Sequence, residues 1–347
     1  MSANSPIAVL GAGSWGSALA ILLARNGHPV WLWGRDPARM LALAETRINL
    51  WYLPDTPFPD NLLPTSDLDA VLAATSELLL VVPSHVFRST LEACAVRRTA
   101  DLRLAWATKG LEPGTQRLFH EVAAEVLGPN TPTAIISGPS FAKEVVAELP
   151  TAVTVASRFP DYAQWLAGCL RNTRFRPYTS DDVVGVQVGG AIKNVLAIAA
   201  GIADGLGFGS NARAALITRG LAEIIRLGEA LGGRRETFMG LAGLGDLVLT
   251  CTDDLSRNRR FGLLIGQGQG VSEALLAIGQ VVEGFGTVRE VAALAQRLGV
   301  EMPITNQVLA VLHANHDPRA AVQALLARAL RPESITPRPY GIEGLVR

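Results

Sequence analysis

The stretch IAVLGAGSWG, residues 7–16, decides the fold, because four apolar residues run straight into a glycine-rich turn of the pattern G-x-G-x-x-G. Between a strand and a helix, such a turn is typical of dinucleotide-binding domains. Gly11 permits the tight turn, Gly13 lets the backbone approach a pyrophosphate, and Gly16 lets helix and strand pack closely. The helix that follows runs to about Arg25, and the free N–H groups at its start favour a bound anion. The motif therefore predicts a dinucleotide site.

Further apolar segments follow this turn through the first half of the chain. They are four to six residues long and rich in Val, Ile and Leu, as strands buried on both faces of a sheet are. The predicted strands are residues 6–10, 29–33, 78–82, 102–107, 133–136, 152–156 and 174–178. A helical pattern at residues 114–127 stops at Gly128 and Pro129. Alternating strands and helices predict an α/β fold with a Rossmann-type, doubly wound sheet.

Strand patterns end near residue 182, and the remainder of the chain reads as mainly helical. The predicted helical features are residues 183–205, residues 211–231 with Asn211 as cap, a capping box from Thr287 to Glu290, a helix end at Gly299 and a helix start at Pro303. We therefore expect two closely packed domains. Residues 1–182 form the dinucleotide-binding domain and residues 183–347 the helical substrate-binding and catalytic domain.

The composition excludes several classes of protein. Lys plus Arg and Asp plus Glu both number 31 in 347 residues, so no global basic field exists to hold nucleic acid or an anionic membrane. Apolar runs are too short for a membrane span or a signal-peptide core, which predicts a cytoplasmic protein. Cys94, Cys169 and Cys251 are far apart and odd in number, so neither a disulfide framework nor a zinc site is expected. No metal is predicted.

The end of the second predicted strand bears on the choice of cofactor. Arg35 could pair with the 2′-phosphate of NADP(H) and stack on the adenine. Asp36 could instead bind the ribose 2′-hydroxyl of NAD(H), or simply start a helix at Pro37. We expect NADP(H) to be preferred and NAD(H) to be possible.

Two lysines are candidates for the chemistry. Lys109 follows a predicted strand at its carboxyl end, the edge where ligands bind in open α/β sheets, although a surface lysine is the alternative. Lys193 stands among apolar and small residues. Burial there would lower its pKa and suit it to exchange a proton with a carbonyl or an alcohol. The alternative is a lysine at a helix edge that reaches to solvent.

Two further segments are suited to anions. Arg257 with Ser256 and Asn258 could clamp a phosphate, since a guanidinium binds phosphate in a bidentate way, and Asp246 ends a glycine-rich turn just upstream. The turn SGPSFA, residues 137–142, offers hydroxyls and free N–H groups. A solvated charge run and an ordinary helix cap are the respective alternatives.

Taken together, these stretches resemble the bacterial NAD(P)-dependent glycerol-3-phosphate dehydrogenase family, over nearly the whole chain. The matching segments, in order from residue 11 to residue 284, are GAGSWGSALA, LWGRD, ATKGL, SGPSFAKEV, LPTAVTVAS, GGAIKNVLAIAAGIADGL, GLAGLGDLVLTCT, SRNRRFG and VVEG. The lysine–asparagine segment and SRNRRFG are specific, whereas the glycine turn is shared with many proteins. Gln187 and the pair Ala212 and Arg213 depart from the residues that are common in the family.

The resemblance implies an oxidoreductase that interconverts dihydroxyacetone phosphate and sn-glycerol 3-phosphate with NAD(P)H and supplies glycerol 3-phosphate for phospholipid synthesis. It implies that Lys193 is the proton donor and acceptor and that the protein is a homodimer or related oligomer. The implied substrate contacts are Lys109, Gly138, Ser140, Lys193, Asp246, Ser256, Arg257 and Asn258. The implied cofactor contacts, with the glycine turn included, are Gly11, Gly13, Ser14, Trp15, Gly16, Arg35, Lys109, Ala142, Arg257, Val281 and Glu283.

Two other classes of protein remain as alternatives. A ketopantoate or β-hydroxyacid dehydrogenase has a similar architecture but gives no reason for the Ser256–Asn258 clamp. A regulatory protein that senses the cofactor without chemistry would have no need of a buried Lys193.

Overall fold

The computed structural model describes residues 5–97 and 101–328. The strands are β1 (Ile7–Leu10), β2 (Val30–Trp33), β3 (Ile48–Asn49), β4 (Leu53–Pro57), β5 (Leu62–Thr65), β6 (Glu77–Leu80), β7 (Arg103–Trp106), β8 (Thr133–Ser137), β9 (Thr151–Ala156) and β10 (Phe175–Ser180). The first seven helices are α1 (Ser14–Arg25), α2 (Pro37–Thr46), α3 (Leu68–Ala74), α4 (Phe87–Ala95), α5 (Phe119–Leu127), α6 (Ala142–Val146) and α7 (Pro160–Leu170). The others are α8 (Val183–Gly205), α9 (Gly209–Ala230), α10 (Arg235–Met239), α11 (Asp246–Thr252), α12 (Arg257–Gly266), α13 (Val271–Ile278), α14 (Glu283–Leu298), α15 (Pro303–His313) and α16 (Pro318–Leu326).

Eight strands form one sheet in the order β10-β9-β8-β7-β6-β1-β2-β5. Every neighbouring pair is parallel except β8 and β9, which are antiparallel. The chain builds outward from β1 in both directions, so the strand order reverses between β1 and β6. In doubly wound sheets, ligands bind at the carboxyl edge beside such a switch point. The predicted Rossmann-type sheet followed by helices is confirmed.

All seven predicted strands are present, with bounds within two residues of those expected. The prediction missed β5 and the antiparallel hairpin of β3 and β4. Pro64 interrupts the apolar pattern of β5, and proline is tolerated there because β5 is an edge strand.

The helices after β10 pack around α8, whose residues are almost all buried. The apolar cluster they form includes Val195, Ile198, Phe261 and Val291, and it extends to Leu111 of the sheet region. Among the described residues, α8 alone is long and apolar enough to cross a bilayer, but 94% of its most apolar window is buried inside the protein. It is therefore a core helix. Residues 329–347 of the predicted second domain lie outside the described residues.

Three predicted helix starts were wrong. Helix α5 begins at Phe119, not at residue 114, because Gly114 and Gln116 have φ values of 80° and 58°, which a helix cannot hold. Helix α9 begins at Gly209, so Asn211 lies in its first turn and is not its cap. Thr287 lies buried inside α14, which starts four residues earlier than the supposed capping box. The end of α14 at Gly299 and the start of α15 at Pro303 are confirmed.

None of the three cysteines forms a disulfide within the described part of the chain. Cys94, Cys169 and Cys251 are free and buried, and burial raises the pKa of each thiol to about 12. The thiolate is the reactive form, so these side chains are inert at neutral pH. No group of three or more potential metal ligands exists among the described residues.

Candidate active site

The glycine turn connects β1 to α1 at the carboxyl edge of the sheet. A Cβ on Gly16 would lie 1.8 Å from the carbonyl oxygen of Gly11, so only glycine permits this close packing. A Cβ on Gly13 would meet nothing within 4 Å, and no side chain caps the helix start after Gly13. The turn thus leaves open space beside uncapped N–H groups at Ser14 and Trp15, which is what a pyrophosphate needs. A dinucleotide fits this turn.

Arg35 and Asp36, which follow β2, differ in whether their side chains are available to a cofactor. Asp36 is the N-cap of α2, and its Oδ1 accepts hydrogen bonds from the backbone N–H groups of Ala38 (3.1 Å) and Arg39 (3.2 Å). Its carboxylate is therefore engaged by the fold. The side chain of Arg35 is exposed and makes no hydrogen bond or ion pair within the described part of the chain. It is free to meet a ligand.

The proposed catalytic lysine lies in a cluster of three charged groups. Lys193, in the middle of α8, is 7% exposed, as its apolar surroundings predicted. Its Nζ donates to Oδ1 of Asp246 and, over 2.9 Å, to Oγ1 of Thr250. The other carboxylate oxygen of Asp246 accepts from Nζ of Lys109 at 2.6 Å. Asp246, 1% exposed, thus holds two ammonium groups side by side.

Burial and the close contact of these charged groups shift the pKa values of Lys193 and Asp246. Burial lowers the pKa of Lys193 to about 7; the charge on Asp246 opposes this shift and the ammonium of Lys109 adds to it. Burial alone would raise the pKa of Asp246, but attraction to Lys109 and Lys193 outweighs it and holds that pKa below its usual value. A buried lysine with a lowered pKa, paired with an acid whose own pKa is lowered, is suited to general acid–base catalysis.

The predicted phosphate clamp lies at the start of α12. Ser256 is the N-cap, and its Oγ accepts from the N–H of Arg259 at 3.2 Å. Arg257 is the first helical residue and makes no hydrogen bond or ion pair among the described residues. Burial lowers its pKa, which the nearby Glu283 and Tyr52 oppose. An unpaired guanidinium at a helix N-terminus is suited to phosphate. Arg259 is not available, because Asp204 and Asp254 hold it in ion pairs.

Asn258 connects this clamp to the lysine cluster. Its Nδ2 donates to Oδ1 of Asn194, the neighbour of Lys193, at 3.0 Å, and its Oδ1 accepts from the N–H of Gly284 at 2.9 Å. One side chain therefore fixes the spacing between α8, α12 and the start of α14.

Further predicted contacts follow β8 or lie around the start of α14. Gly138 and Ser140 follow β8, and the hydroxyl of Ser140 bonds to the carbonyl of Gly138 at 3.0 Å. Ala142 begins α6 and is partly exposed. Val281 is 43% exposed just before α14. Glu283 accepts from the hydroxyl of Ser84 at 2.8 Å, and burial raises its pKa.

The sequence prediction missed Thr250 and Ser84. Thr250 follows Asp246 by four residues, a spacing that places both on one face of α11, so the pattern was available. Ser84 carried no pattern of its own. A stronger signal lay in the composition, because the chain contains only three lysines, at positions 109, 143 and 193, and two of them meet at one carboxylate. A compact ammonium that can lose its proton is what arginine cannot supply.

The structure combines a glycine turn with uncapped N–H groups at the switch point of a Rossmann sheet and a buried lysine with a lowered pKa. These are features that a dinucleotide-dependent dehydrogenase requires. The fold and the site together define that class of enzyme.

Comparison with known proteins narrows the class. The N-terminal and C-terminal models of NAD-dependent glycerol-3-phosphate dehydrogenase match residues 6–163 and 182–323. The glycerol-3-phosphate dehydrogenase [NAD(P)+] of Thioalkalivibrio sulfidiphilus is 60% identical over 94% of this chain and 98% of that protein. The crystal structure of glycerol-3-phosphate dehydrogenase from Coxiella burnetii is 51% identical, covers 94% of this chain and 100% of its own, and has a TM-score of 0.92.

The chain belongs to the NAD-dependent glycerol-3-phosphate dehydrogenase family, and the family resemblance found in the sequence is confirmed. It is an oxidoreductase that uses NAD or NADP. A ketopantoate reductase from Ralstonia eutropha has a TM-score of 0.56 at 17% identity, which shows a shared fold alone.

Proposed function

We propose that this enzyme interconverts dihydroxyacetone phosphate and sn-glycerol 3-phosphate and that Lys193 exchanges the proton with the oxygen on C2. The observation that carries the assignment is the buried Lys193, whose pKa burial lowers to about 7, held against Asp246 at the carboxyl edge of the sheet. When bound, the reduced nicotinamide cofactor supplies the hydride that C2 receives.

The residues of the chain perform the rest of the reaction. Lys193 donates a proton to the oxygen on C2 as negative charge develops there, and before that its charge attracts the same oxygen. Asp246 and Thr250 hold the ammonium in place, and Lys109 presents a second positive charge. Arg257 holds the phosphate, so that binding energy far from C2 orients the reacting carbon.

A spectrophotometric assay tests the proposed reaction. Oxidation of NADPH should depend on dihydroxyacetone phosphate and should be competitively inhibited by inorganic phosphate. Ketopantoate is the comparison substrate, and turnover of ketopantoate without turnover of dihydroxyacetone phosphate would contradict the assignment.

Substitution of Arg257 by alanine is expected to lower kcat/KM for dihydroxyacetone phosphate on the order of ten- to a few-hundred-fold, mainly through KM. A hydrogen bond to a charged group contributes about 1.5–3 kcal/mol, and about 1.4 kcal/mol is a factor of ten. Steady-state kinetics at saturating NADPH measure the loss. The variant should also discriminate less against dihydroxyacetone, which has no phosphate.

Arg260→Ala is the matched control, because Arg260 lies on the same helix with an exposed side chain. It should leave both substrates nearly unaffected. If Arg257→Ala kept the full preference for the phosphorylated substrate, the phosphate would bind elsewhere.

We further propose that NADP(H) is the preferred cofactor, because Asp36 is engaged as a helix cap whereas the Arg35 side chain has no partner among the described residues. Arg35→Ala should then lower kcat/KM for NADPH about tenfold or more while changing that for NADH little, since only NADPH carries the 2′-phosphate. Kinetics with both cofactors measure this ratio. Arg176, exposed on the opposite edge strand β10, gives the control variant. Equal losses with both cofactors would assign Arg35 to the adenine or to the fold.

The remaining parts of the proposal concern the oligomeric state, the cellular location and the metabolic role of the enzyme. We propose a homodimer in the cytoplasm whose product serves phospholipid synthesis. Sedimentation equilibrium tests the dimer, cell fractionation tests the location, and growth of a depleted strain with and without added glycerol 3-phosphate tests the metabolic role.

A further inference from the structure

Ser137, the last residue of β8, carries a buried hydroxyl that has no partner in the described part of the chain. It is 2% exposed, and its Oγ makes no hydrogen bond to any described residue. A buried polar group left unpaired destabilises the folded state, so native proteins rarely contain one without a reason. A ligand that reaches this hydroxyl would supply the missing bond.

The surroundings of Ser137 place it in the active site. A Cβ on Gly190 would lie 2.8 Å from Oγ of Ser137 and 3.6 Å from Cγ of Lys109, so the hydroxyl and the stem of Lys109 both fit against this glycine. Gly190 precedes Lys193 by three residues, on the same face of α8. Helical side chains lean back over the preceding turn, which directs Lys193 toward the same surface.

The substrate of the proposed reaction has three polar groups, and binding residues have been proposed for two of them. Lys193 takes the oxygen on C2 and Arg257 takes the phosphate, whereas no residue yet binds the hydroxyl on C1. Ser137 and the stem of Lys109 lie against the same glycine, Gly190, which is three residues before Lys193 on α8. C1 is the carbon attached to C2 on the side away from the phosphate-bearing carbon.

We propose that Oγ of Ser137 binds the C1 hydroxyl of dihydroxyacetone phosphate and thereby selects substrates that carry a hydroxyl at this position. The inference rests on the proposed function, which names that substrate. A site built to bind a hydroxyl rejects an analogue that lacks it, because its own polar group is then left buried and unpaired.

The test compares dihydroxyacetone phosphate with hydroxyacetone phosphate, which differs only by the absence of the C1 hydroxyl. The wild-type enzyme should prefer the first. Ser137→Ala should lower kcat/KM for dihydroxyacetone phosphate about 2- to 12-fold, which is one net hydrogen bond, and leave that for hydroxyacetone phosphate within about twofold. The melting temperature should not fall, because the hydroxyl has no hydrogen bond to a described residue that the substitution would remove.

Ser157→Ala is the matched control. Ser157 is also 2% exposed and directly follows β9, but its Oγ donates to the carbonyl of Thr133 at 2.6 Å. This variant should melt at a lower temperature and keep the wild-type preference between the two substrates.

The possible failures are distinguishable. A wild-type enzyme that does not reduce dihydroxyacetone phosphate would overturn the proposed function. If the wild type reduces it and Ser137→Ala keeps the full preference for the C1 hydroxyl, or loses both substrates equally, the inference alone is wrong. A loss of folding or a fall in melting temperature in Ser137→Ala would likewise overturn it, since the hydroxyl would then be structural.

Discussion

Replacement of Lys193 by alanine should lower kcat/KM for reduction of dihydroxyacetone phosphate by about 10²–10⁴-fold, the usual contribution of a general acid. The side chain is 7% exposed and is the group placed to exchange a proton at C2. The fold should tolerate the change, because Asp246 keeps its ion pair with Lys109. Affinity for NADPH, measured by fluorescence titration, should change little, since the glycine turn lies on a different element.

Lys193→Arg is the informative companion, because arginine keeps the positive charge but does not release a proton near neutral pH. If the lysine acts by proton transfer, both variants should be slow while both still bind NADPH. Near-normal turnover in the alanine variant would end the assignment, and recovery in the arginine variant would reduce the role of Lys193 to electrostatic attraction.

Asp246→Asn should affect both stability and the pH dependence of the reaction. Removal of one partner from a buried ion pair destabilises a protein by about 3–5 kcal/mol, and here two ammonium groups would lose their shared anion. The free energy of unfolding, measured with urea, should fall by that order. Asp55→Asn, an exposed carboxylate on β4, should leave stability nearly unchanged.

The pH profile gives the second readout. Reduction needs protonated Lys193, so kcat/KM should be high below its pKa of about 7 and fall as pH rises through it, whereas oxidation of glycerol 3-phosphate should rise over the same range. Asp246 raises the pKa of Lys193 against the effect of burial, so Asp246→Asn lowers it further. The falling limb for reduction should therefore move to lower pH. An unmoved limb would show that Asp246 does not control this proton.

Sequence patterns predicted most strands of the sheet, but three of the predicted helix starts were wrong. Buried parallel strands are continuous apolar runs, which is a local property, so seven strands were predicted closely. The start of α14 could not be predicted, because the polar group at its N-terminus comes from Asn258 of α12, 26 residues earlier in the chain. The edge strand β5 was missed because only its place in the sheet makes Pro64 acceptable.

The sequence by itself determined the glycine turn, seven strands of the main sheet, the apolar surroundings of Lys193 and the family, because each is carried by short segments of neighbouring residues. Only the tertiary structure decided which charges meet. Asp246 lies 137 residues after Lys109 and 53 after Lys193, and the packing of α11 against α8 beside the end of β7 brings the three together. The same packing left Arg257 and the hydroxyl of Ser137 without hydrogen-bond partners among the described residues, while Arg259 and Asp36 are held by the fold. Whether a polar side chain is engaged or free is a question of distance between elements, which local patterns do not contain.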